Sequence, residues 1–394
     1  MNKTILNTGP QDYINKNIDG DIMSVLLGKP NFDGISQKEL AKQIEAKRKC
    51  KDKLSTWFLT DKIYYPDKLN IEQTSSETTA AYKAQIVDGK SLIDLTGGFG
   101  VDSYFFSKKI ETVLHCEINP ELSAISSHNF KVLGQENIEC FPEDGISFLK
   151  KSTRNFDWVY VDPSRRSEKK GKVFLLEDCL PNLPENLPLL FDKTQNILVK
   201  TSPLLDIKMG IETLDFVKEV HVVAVQNEVK ELLFILEKGY TGSIQIKSID
   251  LRPEQNNGFN FLWEEEPHIQ VHYGEPASYL YEPNAAILKS GGFKSVAKAY
   301  NLKKLHPHSH LYASDELMDF PGRRFKIQLV LPYSKKSLKS MGVSKANITT
   351  RNFPLSVAEI RKKHKIKDGG SRYLFFTRSI NDALLVLDCK KVVD

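Results

Sequence analysis

The 394-residue sequence predicts an α/β fold with a Rossmann-like sheet, a helical region before it and a smaller α+β module after it. Three observations support this prediction. Apolar segments of strand length alternate with amphipathic segments between residues 86 and 240. The first of these apolar segments runs into a turn with three glycines, as the first strand of a Rossmann-like sheet does. From about residue 240 the alternation breaks, and basic residues accumulate after residue 320.

Residues 1–85 are expected to be mainly helical. A polar segment at 36–53 has a thin apolar seam, and Ser36 and Glu39 can form a capping box at its start. Another helix is predicted at Thr78–Ile86, where either Ser75 or Ser76 can serve as the N-cap. This helix leads directly into the first strand of the sheet.

The sheet begins in the segment SLIDLTGGFGVDS at 91–103. A buried strand is predicted at Leu92–Leu95, and a helix starts at Asp102. The turn between them contains Gly97, Gly98 and Gly100. Glycines allow a tight turn and leave room for a nucleoside against the main chain.

The acids around this turn indicate which ligand binds there. Gly98-x-Gly100-x-x-Ser103 departs from the dinucleotide pattern, because a serine replaces its third glycine. Asp102 would also place a negative charge where a pyrophosphate should lie. Asp94 and Asp102 together suit a cationic ligand, such as the ammonium and sulfonium groups of S-adenosylmethionine. A dinucleotide and a turn without a ligand stay open as alternatives.

Three further acids follow predicted strands. Glu117 comes after a strand at 112–116, about 20 residues beyond the glycine turn, where an acid can bind ribose hydroxyls. Asp144 follows a strand at 138–141, although an Asp-Gly pair before a helix is also a common cap. Asp162 follows a strand at 156–161, so its loop should face the ligand.

The sheet is completed by a strand at 196–201 and an antiparallel hairpin at 219–225 and 229–236. This hairpin argues against an all-parallel NAD-binding sheet. Residues 241–320 read as a small α+β connecting unit, and residues 321–394 as strands and helices in the order β-α-β-α-β-β.

The last 74 residues carry 17 Lys and Arg against 5 Asp and Glu, a net charge of +12 in a chain whose total is +5. A helix predicted at Ser356–Lys367 presents four cations. They are Arg361, Lys362, Lys363 and Lys365. Such a face suits an anionic partner, although a solvated helix face is the alternative.

Composition points to a cytoplasmic protein. The five cysteines are odd in number and scattered, which fits a reducing compartment. The N-terminus is too polar for a signal peptide, and no apolar run approaches membrane-spanning length. His306, His308 and His310 lack a fourth ligand nearby, so we expect no metal site.

The chain resembles a bacterial family in which a class I S-adenosylmethionine-dependent methyltransferase core carries a C-terminal THUMP-like domain. The core motifs that carry this resemblance are TSSETTAAYKA, DLTGGFGVDS, CEINP and VDPSRRS. Those of the tail are YEPNAAILKSGGF, HPHSHLYASDEL, FPGRRF and RNFPLSVAEIRKKHKIKDGGSRYLF.

This resemblance implies a Rossmann-like seven-stranded class I methyltransferase sheet and four segments. They are a helical region at 1–85, the methyltransferase core at 86–240, a ferredoxin-like connecting unit at 241–320 and a basic THUMP-like domain at 321–394. It places Ser75 and Ser76 near the methionine end of the cofactor and Asp144 at the adenine amino group. THUMP domains bind RNA in tRNA-modifying enzymes, so the resemblance implies a tRNA or rRNA substrate.

The loop after the fourth strand is the predicted catalytic segment. Asp162, Pro163 and Arg165 are expected to act on the acceptor, and Arg166 to hold the substrate. Asp162-Pro163-Ser164-Arg165 departs from the acid/amide-Pro-Pro-aromatic motif of methylases that act on exocyclic base amines. Arginine can also stack on a base, so an amine acceptor stays open. Two alternative functions also stay open: an RNA-binding module with an inactive core, and a methyltransferase for a small molecule or a protein.

Overall fold

The computed structural model describes residues 1–29, 31–165, 175–253 and 256–392. They fall into two compact units, Met1–Lys218 with Leu232–Thr241, and Glu219–Glu231 with Gly242–Asp394. The sequence predicts four segments, whereas the structure divides into two compact units, so the boundaries of the four segments stay a prediction. In the described ranges, no helix combines the length and the apolar character needed to cross a membrane.

The first unit begins with the helical region expected from the sequence. After a 3-10 turn at Lys3–Leu6, its helices are α1 (Thr8–Lys16), α2 (Ile22–Leu27), α3 (Gln37–Lys53), α4 (Ser55–Leu59), α5 (Lys68–Gln73) and α6 (Glu77–Lys83). The predicted capping box is present, because the Ser36 and Glu39 side chains each accept a hydrogen bond from the other's main-chain N–H. Buried apolar residues of these helices form a common core with Tyr104 and Phe130.

The sheet of the first unit follows the predicted alternation. Its parallel strands are β1 (Ser91–Asp94), β2 (Thr112–Cys116), β3 (Ile138–Phe141), β4 (Phe156–Val161) and, after a short pair β5 (Ser164–Arg165) and β6 (Cys179–Leu180), β7 (Thr194–Thr201). The intervening helices are α7 (Val101–Phe106), α8 (Pro120–Val132), α9 (Gly145–Lys151), α10 (Leu183–Phe191) and α11 (Ile207–Thr213).

The next two strands of this sheet, β8 (Val217–Val225) and β9 (Glu228–Glu237), form a hairpin, and its residues Glu219–Glu231 belong to the second unit. The strand order is β3-β2-β1-β4-β7-β9-β8, with β9 antiparallel to β7. This order and the closing hairpin confirm the predicted Rossmann-like sheet, but two further strands continue it beyond β8, so the sheet has nine strands rather than the predicted seven. The carboxyl ends of the parallel strands share one edge, which is where such sheets bind ligands.

The second unit adds β10 (Gln245–Leu251), parallel to β8, and β11 (Asn257–Leu262), antiparallel to β10. Its separate seven-stranded sheet contains β12 (Tyr279–Pro283), β13 (Lys303–Lys304), β14 (Tyr312–Ser314), β15 (Gly322–Pro332), β16 (Asn347–Thr350), β17 (Arg372–Arg378) and β18 (Leu384–Lys391). Its helices are α12 (Ala285–Ser290), α13 (Phe293–Ala299), α14 (Lys335–Ser340) and α15 (Val357–His364). The β-α-β-α-β-β order predicted for the tail is thus present.

Candidate active site

A cavity of about 440 Å³ lies at the carboxyl ends of β1, β2 and β4 in the first unit. This volume is in the range of small-molecule sites. The predicted residues on its wall are Ser75, Asp94, Gly97, Gly98, Asp102, Glu117, Asp144 and Asp162. Residues that are far apart in the sequence are therefore brought to one site by the parallel strand order.

The glycine turn leaves one side of the cavity open. Gly98 has φ +56°, and a Cβ built there would meet only the Thr96 carbonyl oxygen, at 3.9 Å. By contrast, a Cβ at Gly97 would lie 2.3 Å from the His115 ring. A Cβ at Gly100 would lie 2.3 Å from the Phe130 ring, and Gly100 is not among the residues lining this cavity. Gly98 is thus open to a ligand, whereas Gly100 is required for packing.

Two carboxylates on the adjacent wall are oriented by main-chain groups. The Glu117 carboxylate accepts hydrogen bonds from the N–H groups of Gly98, at 2.8 Å, and Asn119, at 2.7 Å. Asp144 caps α9 by accepting from the Ser147 N–H, at 2.8 Å, and it also lines the cavity. Asp144 therefore both caps α9 and lines the cavity, whereas the sequence left the helix cap and a ligand contact as alternatives.

Asp94 is buried at the end of β1, with only 1% of its surface exposed. Its carboxyl group accepts hydrogen bonds from the Ser103 hydroxyl, at 2.6 Å, and the Thr96 N–H, at 3.0 Å. Burial raises the pKa of Asp94 to about 7, although both hydrogen bonds act to lower it. This acid can therefore gain or lose a proton near neutral pH.

Asp102 has a different electrostatic environment. One of its carboxylate oxygens accepts hydrogen bonds from the hydroxyls of Ser75 and Tyr160, both at 2.8 Å. Burial acts to raise the pKa of Asp102, but the ammonium groups of Lys83 and Lys200 and the two hydroxyls lower it below its ordinary value. Asp102 therefore remains anionic beside the protonatable Asp94.

Lys83 is a residue of this site that the sequence analysis missed. It is fully buried on α6, its Nζ lies 3.2 Å from Asp102 Oδ1, and it donates to the Ser75 hydroxyl at 3.1 Å. A signal was present in the sequence, because Lys83 occupies the face of α6 that also buries Thr79 and Ala80. A lysine on an apolar helix face requires a buried partner.

Ser75 and Ser76 have separate positions. Ser75 lines the cavity and contacts Asp102, as described above. Ser76 is the N-cap of α6, where its hydroxyl accepts from the Thr79 N–H at 3.2 Å, and it is not among the residues lining this cavity. The structure therefore brings only Ser75 to the predicted cofactor site.

Asp162 lies at the end of β4 and forms an ion pair with Lys200 of β7. Its main-chain N–H donates to the Thr96 hydroxyl at 2.7 Å, which fixes the start of the loop. Pro163 is buried, and the main chain of Arg165 pairs with Cys179 in the short β5–β6 ladder. Arg166, the predicted substrate ligand, lies outside the described residues. The predicted roles of Pro163, Arg165 and Arg166 stay predictions.

The four predicted cations of the tail are not equivalent. Arg361 donates to the carbonyl oxygens of Ala346 and Ile366 and pairs with Asp368, so its contacts stabilise the module. The other three, Lys362, Lys363 and Lys365, are exposed. The predicted helix over 356–367 ends earlier, at His364, because Lys365 adopts the left-handed conformation with φ +57°.

Further exposed lysines on α14 accompany them. We define the lysine cluster as Lys335, Lys336 and Lys339 of α14 with Lys362 and Lys363 of α15. Leu338 of α14 and Ile360 of α15 belong to one buried apolar cluster, so the two helices pack together. Burial lowers the pKa of His364, and the charges of Lys363 and Lys335 lower it further. No ion pair involves the cluster within the described ranges. The Lys363 ammonium lies 5.3 Å from the centre of the Tyr333 ring.

The histidines of the HPHSH segment have structural partners. His306 contacts Asn352 at 3.0 Å and Asp382 at 3.3 Å, and the His310 ring stacks on Phe293. Among the residues that the structure describes, no group of three or more His, Cys, Asp or Glu side chains could hold a metal ion.

The residues of the cavity fit S-adenosylmethionine. Asp102 Oδ1 is buried and, although close to Lys83, lacks a hydrogen-bond donor among the described residues. It can therefore accept from a ligand ammonium group. The open side at Gly98 can receive a nucleoside, and Glu117 stands beside it as an acceptor for hydroxyl groups.

Comparisons with known proteins identify relatives of both units. Residues 279–321 match a ferredoxin-like domain model, and residues 322–391 match a THUMP domain-like model. The crystal structure of a candidate methyltransferase from Porphyromonas gingivalis W83 is 33% identical to this chain, covers 99% of both chains and superposes with a TM-score of 0.91.

Two more distant relatives are also methyltransferases by name. An uncharacterised S-adenosylmethionine-dependent methyltransferase of Mycobacterium tuberculosis is 23% identical over 326 residues, which covers 82% of this chain and 84% of that protein. An uncharacterised RNA methyltransferase of Mycoplasma mobile is 26% identical over 134 residues, covering 30% of this chain and 37% of that protein.

The protein is thus an enzyme that uses S-adenosylmethionine as its cofactor. Several acids line the cavity, and the two matched segments cover residues 279–391 of the second unit. The chain belongs to the family of S-adenosylmethionine-dependent methyltransferases that carry a C-terminal THUMP-like domain.

Proposed function

We propose that this methyltransferase acts on RNA, either tRNA or rRNA, and that its THUMP-like domain binds the RNA. The observation that carries this proposal is the lysine cluster, whose exposed ammonium groups are not neutralised by acids within the described ranges. Such groups can neutralise phosphates and release counterions. The relative named as an RNA methyltransferase supports the same substrate class. The cytoplasm, where these RNAs occur, is the location we propose.

Each acid of the cavity has a proposed role toward the cofactor. Asp94 and Asp102 bind the ammonium group, and Ser75 holds Asp102 in place. Glu117 accepts hydrogen bonds from the ribose hydroxyls, and Asp144 accepts from the adenine amino group. When bound, the cofactor supplies a methyl group activated by a positively charged sulfur.

The chain's contribution to the reaction is alignment of the acceptor in a site that excludes water. Asp162 would orient the acceptor and receive its proton, because it lines the cavity beyond β4. Pro163 and Arg165 would position the acceptor nucleotide, with Arg166 holding a phosphate. The cations Arg361, Lys362, Lys363 and Lys365 were expected to bind substrate together, but Arg361 already has internal partners, so we assign this role to the lysines.

The proposal is tested by incubating the protein with radiolabelled cofactor and with RNA from cells that lack it. We expect label in a tRNA or rRNA fraction. Asp162→Ala should abolish this transfer while leaving cofactor affinity within about tenfold, because Asp162 would act at the acceptor. Label that enters protein or a small-molecule fraction instead would contradict the RNA substrate. Transfer by Asp162→Ala at the wild-type rate would contradict only the role of Asp162.

A further inference from the structure

We propose that the methyl acceptor is a ribose 2′-hydroxyl group, held between Asp162 and Lys200. This inference rests on the proposed RNA substrate and names the atom that the site would methylate. It follows from the ion pair at the end of β4 and β7, which presents a hydrogen-bond acceptor next to a donor.

The pair is fixed by the sheet. β4 and β7 are neighbouring parallel strands, with Val161 opposite Val199, so Asp162 just after β4 lies beside Lys200 near the end of β7. The Thr96 hydroxyl holds the Asp162 main chain at 2.7 Å. The Lys200 side chain is 14% exposed, and its charge also reaches Asp102, whose pKa it helps to lower. Its ammonium group therefore lies near two carboxylates of the cavity wall.

A hydroxyl group complements this arrangement, because it donates one hydrogen bond and accepts others. It can donate to the Asp162 carboxylate while its oxygen accepts from the Lys200 ammonium group. An exocyclic amine is mainly a donor, so it would face the ammonium group unfavourably. A ring nitrogen would accept from Lys200, but that bond would occupy the lone pair that has to attack the methyl group.

Carbon methylation of a pyrimidine is also disfavoured at this site. It needs a thiolate that adds to the ring. Cys116 lines the cavity, but burial raises the pKa of its thiol well above the ordinary value, so it stays protonated. Cys179, opposite Arg165 in the β5–β6 ladder, is buried, and its thiol donates a hydrogen bond to the Leu175 carbonyl oxygen at 3.4 Å.

The proposed step balances as a single displacement. The hydroxyl oxygen forms a bond to the methyl carbon, and the carbon–sulfur bond breaks with its electron pair passing to sulfur. The hydroxyl proton becomes strongly acidic as the new carbon–oxygen bond forms, so a carboxylate suffices to take it. It passes to Asp162 and then to solvent. Lys200 holds Asp162 in position through their ion pair, and its ammonium group holds the acceptor oxygen.

The product can be identified by alkaline hydrolysis of the labelled RNA. Hydroxide cleaves RNA through the free 2′-hydroxyl, so a 2′-O-methyl group blocks cleavage at its own position. We expect the label in alkali-resistant dinucleotides. Label in mononucleotides, as for a methylated base, would overturn this inference and leave the RNA substrate intact. Absence of label from RNA would overturn the proposed function, and this inference with it.

Substitutions at Lys200 give a second test. Lys200→Met should lower the single-turnover rate on RNA by about 10²- to 10⁴-fold, and Lys200→Arg should restore part of it. Affinity for the demethylated cofactor, measured by calorimetry, should stay within about threefold in both variants, which a general loss of structure would not allow. Lys218→Met is the matched control, because Lys218 pairs with Glu237 on the same sheet outside the cavity. Equal rates for Lys200→Met and Lys218→Met would overturn the role of Lys200.

Discussion

The buried carboxyl group of Asp94 should make cofactor binding depend on pH. Its pKa is raised to about 7, chiefly by burial. If Asp94 pairs with the cofactor ammonium group, only its ionised form binds well. Affinity should then rise about tenfold between pH 6 and 8 and level off above that range. Calorimetry in two buffers of different ionisation enthalpy would detect the proton released at pH 7.

Asp94→Asn is the control for this effect. It should bind the cofactor more weakly, with an affinity that is constant between pH 6 and 8. The free protein adds an independent check. Because the folded-state pKa of Asp94 lies above its unfolded value, Asp94 destabilises the fold increasingly as pH rises from about 4 to 7. Asp94→Asn should therefore raise the melting temperature more at pH 8 than at pH 5. A wild-type affinity independent of pH would contradict the pairing.

Gly98 provides a second prediction at the scale of a residue. Gly98→Ala should weaken cofactor binding at least about tenfold, because its methyl group would project into the cavity. Gly134→Ala is a matched control, since Gly134 has φ +73° with open space around it and carries the same backbone strain. Melting temperatures should fall similarly in both variants. Cofactor affinity, measured by calorimetry, should fall only in Gly98→Ala. Similar affinities would show that the ligand does not approach Gly98.

At the scale of elements, the ion pair between Lys83 and Asp102 joins α6 to α7 at the edge of the sheet. Lys83→Met should reduce the free energy of unfolding by about 3–5 kcal/mol, because it leaves the Asp102 carboxylate buried without its cation. Urea unfolding measures this loss. The double variant Lys83→Met/Asp102→Asn should lose less, since it removes both charges.

Lys42→Met tests an exposed pair for comparison. Lys42 binds Asp67 at 2.8 Å on the surface, where such a pair contributes at most about 1 kcal/mol. If Lys83→Met were no more destabilising than Lys42→Met, the buried pair would not secure the cavity wall.

The strands were predictable because buried parallel strands are continuous apolar runs, and β2, β3 and β4 begin and end where the sequence analysis placed them. Glu117 and Asp162 were predictable as cavity acids because they directly follow β2 and β4. Lys83 and Lys200 were missed, because their partners are distant in the sequence and only packing brings them together. Lys200, for example, lies 38 residues from Asp162. The internal partners of Arg361 were hidden for the same reason.

At the scale of the whole molecule, the arginines and the lysines of the basic tail differ in whether they form ion pairs. Several arginines pair with acids inside the second unit: Arg323 and Arg351 with Glu282, Arg361 with Asp368, and Arg372 with Asp388. The lysine cluster remains exposed without ion-pair partners in the described ranges. These arginines therefore contribute to the fold, whereas the lysine cluster is the part of the tail to which the proposed RNA binding is assigned.

Neutralising part of the lysine cluster should weaken RNA binding. In the quadruple glutamine variant of Lys335, Lys336, Lys362 and Lys363, RNA affinity should fall. The slope of log affinity against log salt should become less negative by up to about 3.6, since each lost phosphate contact removes roughly 0.7 to 0.9. Fluorescence anisotropy with labelled RNA at several salt concentrations measures both quantities. Melting temperature and cofactor affinity should stay near wild type, because these side chains are exposed.

The matched control removes the same number of charges from the first unit. Lys16, Lys38, Lys109 and Lys150 are exposed there, and their replacement by glutamine changes the net charge equally. A loss of net charge alone would weaken binding similarly in both variants through the long-range field. A local contact would reduce the salt slope only in the variant of the lysine cluster. If both variants kept the wild-type slope, the RNA would have to be bound elsewhere on the chain, and the methyl transfer would not depend on the THUMP-like domain for delivery.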